Sequence, residues 1–262
     1  MKKEPRDYTI TALERGLKVL MLFDGEKSSY TLTELSQLSG IGKSTMLRIV
    51  YTFCENGFLT FDENTRRYSL GVCVFRLGMA KMNTLDFRRI ALRYLRPLSR
   101  ETDMICYLGV RQEDMLIMVE QVVPSSVPVW AQLMVRTGGE TNLYATGIGR
   151  LFLAQDTDEE VAAYLDRTAP TQITPETVTD KQKILAMVRC ARAEEFDVNQ
   201  GESDLYIASL CAPIYDVNGR MVAGISLCGI KEQINGANRS EYERMVRQTA
   251  AKISEQLGYM KR

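Results

Sequence analysis

The stretch that decides the fold is residues 31–71, TLTELSQLSGIGKSTMLRIVYTFCENGFLTFDENTRRYSLG. Thr31 and Glu34 have the spacing of a capping box, which predicts a short helix that begins directly after Thr31. Gly40 and Gly42 are predicted to end that helix, because glycine permits the tight turn of a helix-turn-helix. The short helix is predicted to have one apolar face, formed by Leu32, Leu35 and Leu38.

A second helix is predicted over residues 43–56, because an Asn-Gly pair at its end is a natural C-terminal stop. Its buried stripe is predicted from apolar residues at helical spacing: Met46, Leu47, Val50 and Phe53. Two extended stretches around a turn at residues 62–64 predict a β-hairpin, so the whole stretch indicates a winged helix. Upstream, Thr11 and Glu14 repeat the capping-box spacing and predict a first helix that supports the helix-turn-helix from behind.

Polar and basic side chains lie where a winged helix contacts DNA. They fall at the start of the second helix and on the hairpin: Lys43, Ser44, Thr45, Arg48, Arg66 and Arg67. Side chains near the helix start can reach base edges in the major groove, and arginines on the wing can bind a phosphate or the minor groove. Any one of these residues is equally compatible with a solvated surface charge. The ordered set predicts binding to double-stranded operator DNA.

The stretch resembles the winged helix of the IclR-type bacterial transcriptional regulators. The resemblance continues in order through LG and FRLG at residues 70–71 and 75–78, YATGIGR at 144–150, GE at 201–202 and APIYD at 212–216. It implies a winged helix-turn-helix DNA-binding domain over residues 1–71 and linker helices over 72–101 that also form a dimer contact. It further implies a GAF-like effector-binding domain over residues 102–262.

From residue 104 onward the pattern changes to short apolar strands with helices between them. Strands are predicted at residues 104–110, 115–122, 128–135, 205–215 and 220–230. Helices are predicted at 150–154, 156–166, 180–195 and 240–257, with Asp180 and Ser240 as caps of the last two. This alternation indicates an α/β or α+β domain in which helices flank a mixed or antiparallel sheet.

The motif Gly147-Ile148-Gly149 before a predicted helix is the candidate ligand-binding turn. It is not a dinucleotide fingerprint, since Phe152 takes the place of the third glycine, and it is not a P-loop. From the residues alone it is either a backbone N–H site for a carboxylate or hydroxyl, or a plain tight turn.

The resemblance places an effector between this turn and the paired strands near the C-terminus. By position it implies these effector-binding residues: Trp130, Leu133, Thr141, Gly147, Ile148, Asn199, Ile207, Ser209, Ser226 and Cys228. The two serines and the cysteine also lie on otherwise apolar strands, where a buried polar group needs a partner. The chain departs from the family's pattern at three places: Tyr144 replaces a frequent histidine, Arg150 a lysine, and Tyr206 a small glycine. Tyr206 is expected either to narrow the pocket or to give it an aromatic face.

Composition narrows the function classes. The 262 residues predict two domains, and 33 Lys plus Arg against 33 Asp plus Glu means that DNA affinity must come from local patches. The chain has no histidine and its six cysteines form no CxxC pair, which excludes zinc-finger spacing and histidine-dependent triads. No cofactor and no metal are predicted. Scattered cysteines, a charged N-terminus and no long apolar run predict a cytoplasmic protein without a membrane span.

These observations predict a cytoplasmic DNA-binding regulator and not an enzyme. Because one winged helix makes few base contacts, a homodimer or homotetramer is expected on a pseudo-palindromic operator. The resemblance favours a repressor of a neighbouring catabolic operon. The expected effector is a small organic acid or sugar acid, with an aromatic acid as second choice. Two alternatives come from other classes: an enzyme with a winged-helix appendage, and a protein-interaction module.

Overall fold

The computed structural model describes residues 9–23, 27–83, 86–126 and 138–260. The chain forms two compact units, residues 1–84 and 85–262. Several predicted features lie outside the described residues: the strand at 128–135, Trp130 and Leu133, most of the N-terminal arm, and part of the loop at 24–29.

The first unit is a winged helix-turn-helix. In chain order its elements are α1 (Thr11–Leu20), β1 (Tyr30–Thr31), α2 (Leu32–Ser39), α3 (Lys43–Glu55), β2 (Leu59–Asp62), β3 (Arg67–Leu70) and α4 (Val72–Asn83). The three strands form an antiparallel sheet in the order β1-β3-β2. The helices and this sheet enclose a small core that includes Val19, Leu35, Met46, Val50 and Leu59.

The capping box at Thr31 is confirmed. The Glu34 N–H donates to Thr31 Oγ1 at 3.3 Å, and the Thr31 N–H donates to the Glu34 carboxylate at 2.7 Å. The capping predictions at Thr11 and Ser240 are wrong, because both residues lie inside their helices. The residues at the cap positions, Ile10 and Asn238, make no side-chain cap bond.

Two leucines depart from the predicted buried faces. Met46 and Val50 are fully buried in α3, but Leu47 is 52% exposed, and Leu38 of α2 is 60% exposed. Successive helical residues are about 100° apart, so Leu47 is turned away from the side of α3 that Met46 and Val50 bury.

The second unit is a six-stranded sheet with helices on both faces. Its elements are α5 (Asp86–Thr102), β4 (Ile105–Gln112), β5 (Met115–Val122), β6 (Glu140–Asn142), α6 (Gly147–Leu153), α7 (Asp158–Thr168), α8 (Lys181–Glu194), β7 (Asp197–Asn199), β8 (Ile207–Tyr215), β9 (Met221–Ile230), α9 (Lys231–Ile234) and α10 (Arg239–Gln256). The strand order is β6-β5-β4-β9-β8-β7, and each neighbouring pair is antiparallel. The predicted α+β fold is confirmed; β6, β7 and α9 were not expected from the sequence.

The two faces of this sheet have different neighbours. Helices α5 and α10 pack on one face, and α6 packs on the other, against β8 and β9. Since side chains alternate along a strand, Ser209 and Cys211 face the α6 side, and Ala208 and Leu210 face the opposite side. Among the described residues, no helix has the length and apolar composition needed to cross a membrane.

Candidate nucleic-acid interface and ligand cavity

The start of α3 presents the predicted DNA-binding side chains to solvent. Lys43, Ser44, Thr45 and Arg48 are all exposed. The turn before the helix uses Gly40 in the left-handed region, with a φ of 70°. Gly42 has a φ of −59°, so only the first of the two glycines is required by backbone conformation.

The two wing arginines have different environments. Arg67 Nη1 donates to the Ser29 carbonyl at 3.1 Å and to Glu34 Oε2 at 3.3 Å, so it ties the wing to α2. Arg66 is exposed, and its guanidinium carbon lies 5.9 Å from the centre of the Phe61 ring. Arg66 is therefore the more available of the two for a phosphate.

Glu34 is the centre of a small polar cluster in the first unit. Lys27 Nζ donates to its carboxylate at 2.6 Å, in addition to the bonds from Thr31 and Arg67. The Lys27 hydrogen bond, followed by those from Thr31, lowers the pKa of Glu34 to about 2. The cluster joins the loop before β1, α2 and β3, and thereby fixes the wing against the helix-turn-helix.

A cavity of about 450 Å³ lies in the second unit, between the sheet and α6. Eight of the ten residues implied as effector-binding line it: Thr141, Gly147, Ile148, Asn199, Ile207, Ser209, Ser226 and Cys228. Sequence reasoning missed other lining residues, among them Asp103, Tyr107, Met118, Asp204, Cys211 and Gln233. Tyr107 pairs with Ser226 across β4 and β9, a register that the sequence does not reveal.

Serine and cysteine alternate on the cavity face of β8 and β9. Ser209 lies opposite Cys228, and Cys211 lies opposite Ser226. Among the described residues, both serine hydroxyls contact cysteine sulfur: Ser209 Oγ lies 3.5 Å from Cys211 Sγ and also hydrogen-bonds the Cys228 thiol across the strands, and Ser226 Oγ lies 3.4 Å from Cys228 Sγ. Sulfur is a weak hydrogen-bond partner, so both hydroxyls keep capacity for a ligand.

Other polar groups of the cavity divide into free and occupied ones. Thr141 Oγ1 is buried and has no hydrogen-bond partner among the described residues. Asn199 is already used, because its Nδ2 donates to the Ala145 carbonyl at 2.8 Å and its Oδ1 accepts from the Gly201 N–H at 3.1 Å. Burial raises the pKa of the Cys228 thiol to about 11, so at neutral pH it is a protonated thiol and a poor nucleophile.

Gly147 is glycine because the turn packs closely on β8. A Cβ on Gly147 would lie 2.6 Å from Cys211 Sγ and 3.2 Å from Cys211 Cβ. Thr146 caps α6, since the Gly149 N–H donates to its hydroxyl at 3.2 Å. The glycines therefore serve tight packing, and the same packing exposes Gly147 and Ile148 to the cavity.

A buried ion cluster joins three of the segments that line the cavity. Arg150 is 1% exposed; its Nε and Nη2 donate to the two oxygens of Asp197 at 2.9 and 2.5 Å. Glu202 Oε1 lies 3.4 Å from Nη2, and its other oxygen accepts from the Gln200 N–H. Burial opposes the charge of the guanidinium, but Asp197 and Glu202 raise its pKa overall. The cluster joins α6, β7 and the segment after β7, all of which contribute to the cavity.

Tyr206 does not belong to the cavity wall. It is 73% exposed and is not among the lining residues, so neither expectation for it, a narrowed pocket or an aromatic face, is met. Two carboxylates also line the cavity: Asp103 lies in the segment between α5 and β4, and Asp204 lies in the segment between β7 and β8.

Two family models match the chain. The model described as "Bacterial transcriptional regulator IclR C-terminal" matches residues 79–255, and the "IclR helix-turn-helix domain" matches residues 12–63. The chain belongs to the IclR family of bacterial transcriptional regulators. It is a helix-turn-helix DNA-binding regulator and not an enzyme.

Relatives and solved structures agree with this membership. The HTH-type transcriptional regulator KipR of Bacillus subtilis is 30% identical over 245 residues, which cover 94% of this chain and 96% of KipR. An IclR transcriptional regulator from Alicyclobacillus acidocaldarius superposes with a TM-score of 0.83 at 26% identity, covering 96% of this chain and all of that one. An IclR homologue from Microbacterium hydrocarbonoxydans, solved with 4-hydroxybenzoate, gives a TM-score of 0.82 at 20% identity over 94% of this chain and 98% of that one; at this identity the likeness shows the fold.

Proposed function

We propose that this IclR-family protein is a cytoplasmic repressor of a neighbouring catabolic operon, released or engaged by a small organic acid or sugar acid. The observation that carries the proposal is the cavity of about 450 Å³ in the second unit. Its volume falls in the range of small-molecule sites, roughly 300–1,000 Å³. Its wall combines apolar side chains with hydroxyls that lack strong partners, which suits a ligand carrying several polar groups.

The cavity offers different chemistry along its length. Gly147 lies next to Cys211, which pairs with Ser226. Asp103 and Asp204 precede β4 and β8, whose first residues pair with Cys228 and Ile230, two and four residues beyond Ser226 on β9, or about 7 and 13 Å along the strand. A ligand carboxylate is therefore expected beside Gly147 and Ser226, where it avoids the two aspartates, with hydroxyls directed to Thr141 and Ser209.

An aromatic acid is the second candidate effector class. The structural neighbour that contains 4-hydroxybenzoate favours it, because that chain shares this fold. Tyr107, Leu116, Met118 and Ile148 also line the cavity and give it an apolar part that accepts a ring. Trp130 and Leu133 stay in the predicted effector set.

On the DNA side, we assign base and phosphate contacts in the major groove to Lys43, Ser44, Thr45 and Arg48, and a backbone contact to the wing arginines, chiefly Arg66. Assembly as a dimer or tetramer is supported by apolar side chains that remain exposed on α1, directly after it and on α4: Leu13, Leu17, Met21, Val72, Phe75 and Leu77. Exposed apolar surface of this kind is typical of protein contacts. An effector then acts only through its different affinities for the two DNA-binding states.

The test combines a mobility shift with calorimetry on the full chain. DNA from the adjacent intergenic region should be shifted. Arg48→Ala should lower the binding free energy derived from the shift by roughly 1–3 kcal/mol. A panel of sugar acids and aromatic acids should contain a binder that changes the shift. Ser209→Ala with Ser226→Ala should abolish the heat of binding and the response, while operator affinity without effector is unchanged.

Two results would redirect the proposal. Full effector affinity in the double serine variant would place the site outside this cavity. Absence of sequence-specific DNA binding, with the fold intact, would favour the protein-interaction alternative for the winged helix.

A further inference from the structure

The exposed side of α3 carries two large side chains that no assigned contact explains. Leu47 is 52% exposed and Tyr51 is 63% exposed. With successive residues about 100° apart, these two lie on the exposed side of the helix with Ser44 and Arg48, Leu47 about 100° and Tyr51 about 140° from the buried Met46. This side therefore presents an apolar and an aromatic side chain next to polar ones.

Single exposed apolar residues are common on protein surfaces and need no explanation by themselves. Here, however, their position on α3 indicates a contact with DNA. The row from Ser44 to Tyr51 is about 10 Å long, which matches about three base pairs of B-DNA. It belongs to the helix of a helix-turn-helix whose exposed cations, Lys43 and Arg48, complement the phosphate charge of a duplex. Double-stranded DNA is the partner whose chemistry fits this combination.

We propose that Leu47 and Tyr51 are specificity-determining residues that read thymine methyl groups in the major groove of the operator. The C5 methyl of thymine is the apolar feature that the major groove presents, and leucine has no hydrogen-bonding atom with which to read anything else. Ser44 and Arg48 read the polar edges of neighbouring bases. The inference rests on the proposed role of α3 as the helix that enters the major groove.

Salt dependence separates this contact from phosphate contacts. Leu47 and Tyr51 carry no charge at neutral pH, so they release no counterions from DNA. Replacing them should lower affinity for the preferred sequence without changing the slope of log affinity against log salt concentration. Arg66→Ala should instead lower affinity for all sequences and reduce that slope.

The experiment first selects the preferred duplex from a random library with the full-length protein. Each thymine of the selected half-site is then replaced by deoxyuridine, which removes only the methyl group. We expect one or two positions per half-site at which the replacement lowers wild-type affinity about fourfold, the equivalent of one buried methyl. Leu47→Ala should bind the thymine duplex more weakly, and its affinity should no longer change when deoxyuridine replaces thymine at one of these positions. Tyr51→Ala should show the same two effects at the neighbouring position.

Leu38→Ala is the matched control, because Leu38 is an equally exposed leucine of the same unit on α2. It should keep wild-type affinity and the full deoxyuridine response. The inference is overturned if the wild type ignores deoxyuridine at every thymine, or if Leu47→Ala keeps the wild-type response. It is also overturned if Leu47→Ala lowers affinity only by weakening self-association in light scattering. If the wild type still binds a preferred sequence in any of these cases, the proposed function stands and only this inference fails. If the wild type shows no preferred sequence at all, both the inference and the proposed function fail.

Discussion

Each unit of the protein contains an arginine–carboxylate cluster that joins distant parts of the chain, but the two clusters are in opposite environments. In the winged helix, Arg67 and Glu34 tie β3 to α2, and the Arg67 side chain is 35% exposed. In the second unit, the proposed effector unit, Arg150 binds Asp197 and Glu202 with all three side chains buried. The same pairing of groups therefore has different energetic consequences in the two units.

The difference lies in what remains when one partner is removed. An exposed partner returns to water, so an exposed ion pair contributes little to stability. A buried partner cannot, so removing the arginine leaves two carboxylates without their cation in a region of low dielectric constant. Removing one partner of the buried cluster is therefore expected to cost far more stability than removing one partner of the exposed cluster, which ties the wing to α2.

The largest effect is expected for Arg150→Met, which keeps much of the volume and removes the charge. We expect a loss of about 3–5 kcal/mol in the free energy of unfolding of the effector unit, because Asp197 and Glu202 stay buried without a cation. Thermal unfolding followed by circular dichroism measures this loss. The variant should also lose effector binding, since the cluster supports the cavity walls.

Arg167→Met is the matched control in the same unit. Arg167 pairs with Asp114 at 2.8 Å, but its side chain is 59% exposed. This variant should keep a free energy of unfolding close to that of the wild type, because an exposed ion pair contributes little to stability. Equal losses in the two arginine variants would contradict the argument that burial makes the difference.

A smaller effect is expected for Gly147→Ala, which tests how closely α6 must approach β8. The new methyl would lie 2.6 Å from Cys211 Sγ, so α6 must shift away from β8, the strand that carries Cys211. Overpacking of this kind costs about 1–3 kcal/mol in the free energy of unfolding. Chemical denaturation of the full chain gives the value.

Cys211→Ala in the Gly147→Ala background removes the sulfur and should restore part of this loss. Cys211→Ala alone serves as the reference for the missing side chain. If the double variant loses as much stability as the two single losses added together, or more, the contact between the turn and β8 is not the cause.

The winged helix could be predicted from the sequence because its signals are local. A capping box, a glycine in the turn and an Asn-Gly stop each act within a few residues, and α2 and α3 begin where these signals place them. The errors are local as well. Leu47 has the spacing of a buried residue but lies just beyond the edge of the buried face, where hydrophobicity alone does not decide burial.

The effector unit could be predicted only in part, because its site depends on strand register. The family resemblance implied the polar positions Ser209, Ser226 and Cys228, which also stand out as polar groups on otherwise apolar strands. Tyr107 and Cys211 were missed, since only the pairing of β4, β9 and β8 shows that they share a face with those positions. The role of Arg150 also depends on a partner 47 residues away, which no local pattern indicates.

The smallest of the three effects concerns the exposed cluster and is tested with Glu34→Gln. Glutamine can still accept the Thr31 N–H bond of the capping box, so this variant removes the charge and keeps the cap. In the folded wild type the pKa of Glu34 is lowered from 4.5 to about 2, chiefly by the Lys27 hydrogen bond. A lowered pKa means that the carboxylate stabilises the fold above about pH 4.5, and that this contribution disappears as the pH falls through 2. Hydrogen exchange of the α2 amides, corrected for intrinsic rates, should therefore show slightly more protection in the wild type at pH 7 and no difference near pH 2. The pKa of Asp62 is also lowered, but Asp62 is present in both the wild type and Glu34→Gln, so its titration cancels from the comparison. A difference that persists at pH 2 would mean that the shape of the side chain, and not its charge, holds the wing to α2.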